Sequence, residues 1–333
     1  MVKIDVRKLI SFGKGSYIIS VPKNWIEKNH LKKGDLISVN DDGLELNLSA
    51  SQQEKKADSR EITIDAKGKD LDLLKTEIVS SYLNDYDTIS ILFEHNYKDA
   101  SKIKDIIRNL SGLEIMEQTS TRITAKNLID TKEISIKNII RRMDMITRAM
   151  MEDAILCYRG QCNYESIYHR DTDVNRLYFL GYRVIKNAMK NPRIAKSLGT
   201  EPWQLHSDTM MIIMLEKIAD RQKRIARHLC SGDLDRAILT ELDKIHTDIS
   251  EAYNEVMKSY YNQDKQIAFK IEVGNKEKIA ACTQLLGRCA SMHTNHKNKS
   301  TSFDHVTLAQ IIENLKATAT SIKNISRTVL CNE

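Results

Sequence analysis

From about Thr131 to the C-terminus, apolar side chains recur at helical spacing with no strand-like alternation, so most of this chain can only be a helical assembly. Six amphipathic segments fit, at about 132–159, 164–190, 203–230, 233–262, 264–291 and 304–330. The last is the clearest: Ile311, Leu315, Thr318, Ile322, Ile325 and Val329 alternate in steps of four and three, a heptad-like seam. Asn191-Pro192 and Glu201-Pro202 bracket one loop, Ser231-Gly232-Asp233 caps another junction, and a polar stretch from His293 to Ser302 makes a third. Six helices divided by a mid-point turn predict two three-helix bundles in tandem, about 131–230 and 231–330, an internal repeat.

The opposite end has a different grammar. Within Arg7–Val39, Leu9 and Ile10 lead to a Gly13-Lys14-Gly15 turn, and Tyr17, Ile18, Ile19 and Val21 form a second strand-like run ended by Pro22. Trp25 and Ile26 sit on a short helical turn, and Lys33-Gly34-Asp35 leads into a third strand. Asp41-Asp42-Gly43 then turns into the alternation of Leu44, Leu46 and Leu48. Residues 1–40 hold eight basic residues against Asp5, Glu27 and Asp35, so most of the chain's net charge of +6 sits here. So short and two-sided a block cannot bury a core alone, and its basic charge suits a polyanion by counterion release. A dimeric DNA-binding module is expected over 1–50, with a lysine-rich solvated face as the plainer alternative. Residues 49–59 read as a polar linker.

Between these regions, residues 60–128 alternate strands with helices. Ile62 and Ile64 mark a strand, Leu71 to Leu83 a helix, Thr88 to Phe93 a buried strand and Ala100 to Leu110 a second helix capped by Gly112. Glu114 to Met116 and Arg122 to Ala125 predict a closing hairpin. This is a small α/β module with a structural or dimerising role.

No apolar run approaches the ~18 residues of a membrane span, so no membrane insertion is expected. The N-terminus lacks signal-peptide organisation, and the six cysteines are scattered, with Cys157 and Cys162 the closest pair. They are expected to be reduced thiols in a cytoplasmic protein. No Ser/His/Asp arrangement, nucleophile elbow or Walker-type loop occurs, so no catalytic residues are assigned and a non-enzyme is expected. The clusters Met143, Met145, Met150, Met151 and Met210, Met211, Met214 read as core filler. Cys289, His293 and His296 could share a helix face around a soft metal but lack a fourth ligand.

The third long helix carries the chemistry. Leu215, Ile218, Gln222, Ile225 and Leu229 form its core stripe, while Glu216 and Asp220 stand one turn apart on one face. Two carboxylates so placed repel unless a cation lies between them. That cation is a lysine or arginine from a neighbouring helix, or a metal held by hard oxygen ligands; a solvated acidic pair is the commoner case.

The run EKIADRQKRIARHL at 216–229 resembles the signature of the PhoU family, and Asp171-Thr-Asp-Val-Asn-Arg-Leu-Tyr at 171–178 looks like its partner on the preceding helix. The resemblance covers about 131–330. It implies a negative regulator of phosphate uptake whose paired acidic motifs hold iron, zinc or other metals. The motifs are incomplete: Asn175 replaces an Asp in the first bundle, and Lys276 and Ala317 replace two in the second beside Glu272 and Glu313. A divalent or iron/zinc metal is therefore expected in the first bundle alone, at Asp171, Glu216 and Asp220.

The N-terminal block resembles the AbrB/MazE-like swapped-hairpin family through Arg7, Gly13 to Gly15, Val21-Pro22-Lys23, Trp25-Ile26 and Gly34-Asp35. That resemblance implies two chains interlacing their hairpins, with Arg7, Lys8, Lys14 and Lys23 contacting DNA. Together the two resemblances imply a cytoplasmic, homodimeric transcriptional regulator of phosphate uptake, of the archaeal type that joins these domains. Its partners would be DNA and a phosphate transporter subunit or a signalling protein. The rival expectation is a protein-interaction module docking on a phosphate transporter, with the N-terminal domain serving only to dimerise.

Overall fold

The computed structural model describes residues 6–41, 43, 46–50, 59–95, 98–295 and 305–331. Leu44, most of the expected linker, and His296 lie outside them. The chain divides into two compact units, Met1–Ser59 and Arg60–Glu333.

The first unit is two antiparallel hairpins and a short helix. Strands β1 (Ile10–Phe12) and β2 (Ser16–Ile18) pair Ile10 with Ile18 across the glycine turn. Helix α1 (Lys23–Lys28) begins just after Pro22, whose missing N–H costs nothing at a helix start. Strands β3 (Ile37–Asp41) and β4 (Leu46–Ala50) form the second hairpin, Val39 opposite Leu48. None of the described side chains of this unit is buried. Phe12, Tyr17, Leu36 and Leu46 are each more than 60% exposed.

The second unit opens with the α/β module. Strands β5 (Glu61–Asp65), β6 (Thr88–Leu92), β7 (Leu113–Gln118) and β8 (Arg122–Asn127) form a sheet in the order β5-β6-β8-β7, parallel between β5 and β6 and antiparallel elsewhere. Helices α2 (Leu71–Leu83) and α3 (Ala100–Arg108) supply Leu74, Ile78, Ile103 and Ile107 to a core shared with Ile89, Ile91 and Ile123. The Asp70 side chain caps α2 by accepting from the Leu73 N–H. Gly112 is not the cap of α3, which ends on Asn109. It turns the chain into β7 at φ +80°, where an added Cβ would strike Ile129.

The rest is helical: α4 (Ile136–Tyr158), α5 (Tyr164–Lys190), the short α6 (Pro192–Ser197), α7 (Pro202–Ser231), α8 (Arg236–Asn262), α9 (Lys265–Asn295) and α10 (His305–Leu330). The two prolines expected to bracket a loop instead start α6 and α7. Asp235, not Asp233, caps α8. The C-cap Gly232 is required by proximity: a Cβ there would crowd Thr307 of α10 and the His228 carbonyl.

Helices α4, α5 and α7 pack together, as do α8, α9 and α10, matching the expected pair of three-helix bundles. They are not separate, because α7 packs along α10 and α4 against α8, and one hydrophobic core runs through both. The α10 seam from Ile311 to Val329 is wholly buried. Met143, Met150, Met151, Met211 and Met214 are core as expected, but Met145 points outward. Cys289 is buried, away from solvent.

Asp144 ties the bundles. Its carboxylate receives Arg148 from its own helix and the Tyr253 and Tyr261 hydroxyls of α8, at 2.8 and 2.9 Å. A buried carboxylate with this many donors is satisfied, and burial plus that carboxylate hold both phenols above their ordinary range. The α/β module is tied to α5 in a similar way. Arg183, 1% exposed, bonds Asp85 at 2.8 Å and lies over the Tyr82 ring, while Lys186 donates to the Asn84 side chain. Burial in this joint pushes the Tyr82 hydroxyl up to about 12.

Candidate functional site

Of the acidic residues singled out on α5 and α7, Asp171 and Asp220 meet at one cation, with Glu216 at the edge. Asp171 is buried on α5, facing the stretch of α7 that carries Glu216 and Asp220. Between them lies Lys223. Its ammonium donates to Asp171 Oδ2 at 2.6 Å and sits 3.0 Å from Asp220 Oδ1, while Asn175 donates to Asp171 at 3.1 Å. Arg224 covers the other oxygen of Asp220 at 2.7 Å. A lysine three residues beyond Asp220 on the same helix thus bridges Asp171 and Asp220, where a cation from a neighbouring helix was expected between Glu216 and Asp220.

The electrostatics follow. Burial alone would lower Lys223, but its hydrogen bonds to Asp171 and Asp220 outweigh that and hold its pKa above the usual value. Glu216 lies at the edge of the group. Burial, then the charges of Asp220 and Asp171, raise its carboxyl above the ordinary range. Any metal ion entering here would compete with the Lys223 ammonium for the same oxygens.

Beside Asp220, a cleft of about 600 Å³ runs between α7 and α10, lined by Lys217, Arg221, Arg224, Glu313 and Asn314 among others. Arg221 donates to the Ser321 hydroxyl at 2.6 Å, and burial lowers its pKa. In the second bundle the corresponding acidic residues are occupied one by one. Glu272 pairs with Arg327 and Lys323, and Glu313 with Lys316. Lys276 and Ala317 add no ligand.

In the first unit Arg7, Lys8, Lys14 and Lys23 are all exposed. Lys14 rides the turn between β1 and β2, and Lys23 lies 3.6 Å from Glu27 on α1.

Lys223 and Arg224 were missed in the sequence, although their i+3 and i+4 spacing from Asp220 is a signal that could have found them. The Asp144 and Arg183 joints had no such signal, since their partners lie about a hundred residues away in sequence. The convergence of Cys230 on the Cys157 and Cys162 pair had no sequence signal either.

No family model and no curated protein matches the chain. Among solved structures, the crystal structure of PhoU from Pseudomonas aeruginosa is similar, with TM-score 0.51 over 59% of this chain and 93% of that one, at 14% identity. The fold of the helical region is PhoU-like. The matched share is close to that of the stretch from α4 to α10. Among the described residues no helix is long and apolar enough to cross a membrane.

Proposed function

We propose that this chain is a cytoplasmic regulator of phosphate uptake that acts on transcription. A dimer binds DNA through its N-terminal units, and the PhoU-like bundles are the sensing or partner-docking region. It works by binding, without catalytic turnover. One observation carries the reading: a PhoU-like helical fold shares a chain with a small unit whose apolar strands are uncovered and whose basic side chains are exposed. A second copy would cover Phe12, Tyr17, Ile18 and Leu46, as an interlaced hairpin of the AbrB/MazE-like kind does. Arg7, Lys8, Lys14 and Lys23 would then reach phosphates from one face of the dimer.

The test is duplex DNA binding by the full chain across a salt series. Binding should weaken steeply with salt, and each Lys or Arg→Ala change at these four positions should lower the log–log slope by about 0.9 for every phosphate left without its cation. Salt-insensitive retention, or none, overturns the transcriptional reading.

The PhoU-like match favours one alternative, a protein-interaction module that docks on a phosphate transporter subunit while the N-terminal unit only dimerises. Under that reading the four substitutions leave function intact, whereas changes lining the α7–α10 cleft abolish it. A divalent, iron or zinc ion would be held by Asp171, Glu216 and Asp220 with Lys223 displaced. Lys223→Ala should therefore raise metal content by elemental analysis, and Glu216→Ala with Asp220→Ala should remove it.

A further inference from the structure

Cys157, Cys162 and Cys230 bring their three sulfurs within 4.8 Å of one another, and no other such group of His, Cys, Asp or Glu occurs among the described residues. Three separate elements deliver them. Cys157 sits in the last turn of α4, Cys162 in the turn before α5, and Cys230 in the last turn of α7. In an up-down-up bundle the first and third helices end at the same side, so two C-termini meet at the connecting turn.

Cys162 lies within disulfide reach of both Cys157 and Cys230, at Cα separations of 4.0 and 6.7 Å. One sulfur forms one disulfide, so the two pairings exclude each other. A single shared cation satisfies all three sulfurs at once. The surroundings favour a cation for a further reason. The C-terminal ends of α4 and α7 carry the negative poles of their dipoles, which attract a positive ion and disfavour an isolated thiolate. Thiol–disulfide chemistry depends on that thiolate. The burial is graded from buried Cys157 through half-buried Cys162 to exposed Cys230, which leaves an entry path from solvent.

We propose that Cys157, Cys162 and Cys230 form a site for a thiophilic d10 cation, zinc(II) or copper(I), at the end of the first bundle. Soft thiolates select these ions, and a fourth position open to solvent completes tetrahedral zinc or stays empty for trigonal copper(I). Binding converts thiols to thiolates and releases the protons to buffer. The site is separate from the carboxylates around Lys223, which are hard oxygen donors. Its occupancy would staple α4 to α7, the helix that bears the cleft.

The experiment uses the full chain, reduced and kept anaerobic, titrated with zinc(II) against a chelating dye and separately with copper(I) against a chromophoric chelator. One ion per chain is expected, and cobalt(II) in its place should give sulfur-to-cobalt charge-transfer absorption. Cys230→Ser, at an exposed position where folding is not at risk, should weaken binding at least tenfold. Cys331→Ser should leave it unchanged. No uptake of either ion, or uptake indifferent to Cys230→Ser, overturns the proposal. So does a Cys162 disulfide that forms in air in preference to ion uptake when zinc is also supplied.

Discussion

The two units of this chain solve the burial problem in opposite ways. The helical region hides an uninterrupted core through six long helices, while the N-terminal unit leaves Phe12, Tyr17, Leu36 and Leu46 facing solvent. A fifty-residue unit with four short strands has too little interior to cover both faces of its hairpins. Under the proposed reading, the first unit would gain its stability from association, whereas the second has a core of its own. Breaking each therefore requires a different tool.

The largest effect is expected at the proposed association surface. Tyr17→Glu with Leu46→Glu should turn the dimer into monomer in sedimentation experiments and abolish DNA retention, leaving the helical circular dichroism intact. A dimer that survives these charges places the association elsewhere and undoes the comparison.

Inside the second unit, Asp85→Ala strands the buried Arg183 guanidinium and should cost about 3–5 kcal/mol in denaturant unfolding. Asp85→Asn, which suits the left-handed backbone at that residue (φ 65°) and still accepts a hydrogen bond, should recover part of it. Equal losses in both would mean that the charge, not the neutral hydrogen bond, carries the whole contribution.

Lys223→Ala leaves Asp171 buried with Asn175 as its remaining donor. The cost should be about 2–3 kcal/mol, below that of a fully buried pair because Lys223 is partly exposed. Denaturant unfolding reads that loss, and an unchanged stability would show that the triad relaxes without its lysine.

The smallest effect is a gain. Glu216 has a raised pKa in the folded chain, so the folded state holds its proton longer than the unfolded one. Stability therefore declines as pH rises from the unfolded value, about 4.5, through the folded one. Glu216→Gln should remove that decline and raise the melting temperature slightly at neutral pH, with no gain below pH 4. A loss at neutral pH would point to a favourable role for the carboxylate.

Much of this was legible in advance for reasons that can be named. The six long helices and the β-α-β-α-β-β module followed from periodicity, because half-buried elements must repeat their apolar residues at their own pitch. Asp171 and Asp220 lie on facing helices, and what stands between them is Lys223, a residue of ordinary type on an ordinary face. Helix ends were misread at Gly112 and Asp233, where several small polar residues could cap and only chain direction selects one. The fusion of the two bundles was hidden, since a core stripe shows that a face is buried and not against which helix.

By itself, the sequence determined which segments are helix or strand and where charge accumulates, since those depend on neighbours within a turn or two. Tertiary structure alone decided the pairings between residues distant in sequence: Arg183 with Asp85, Tyr253 and Tyr261 with Asp144, Cys230 with Cys157 and Cys162. Such contacts arise from the packing of preformed helices, whose relative rotation and end-to-end register no local pattern encodes.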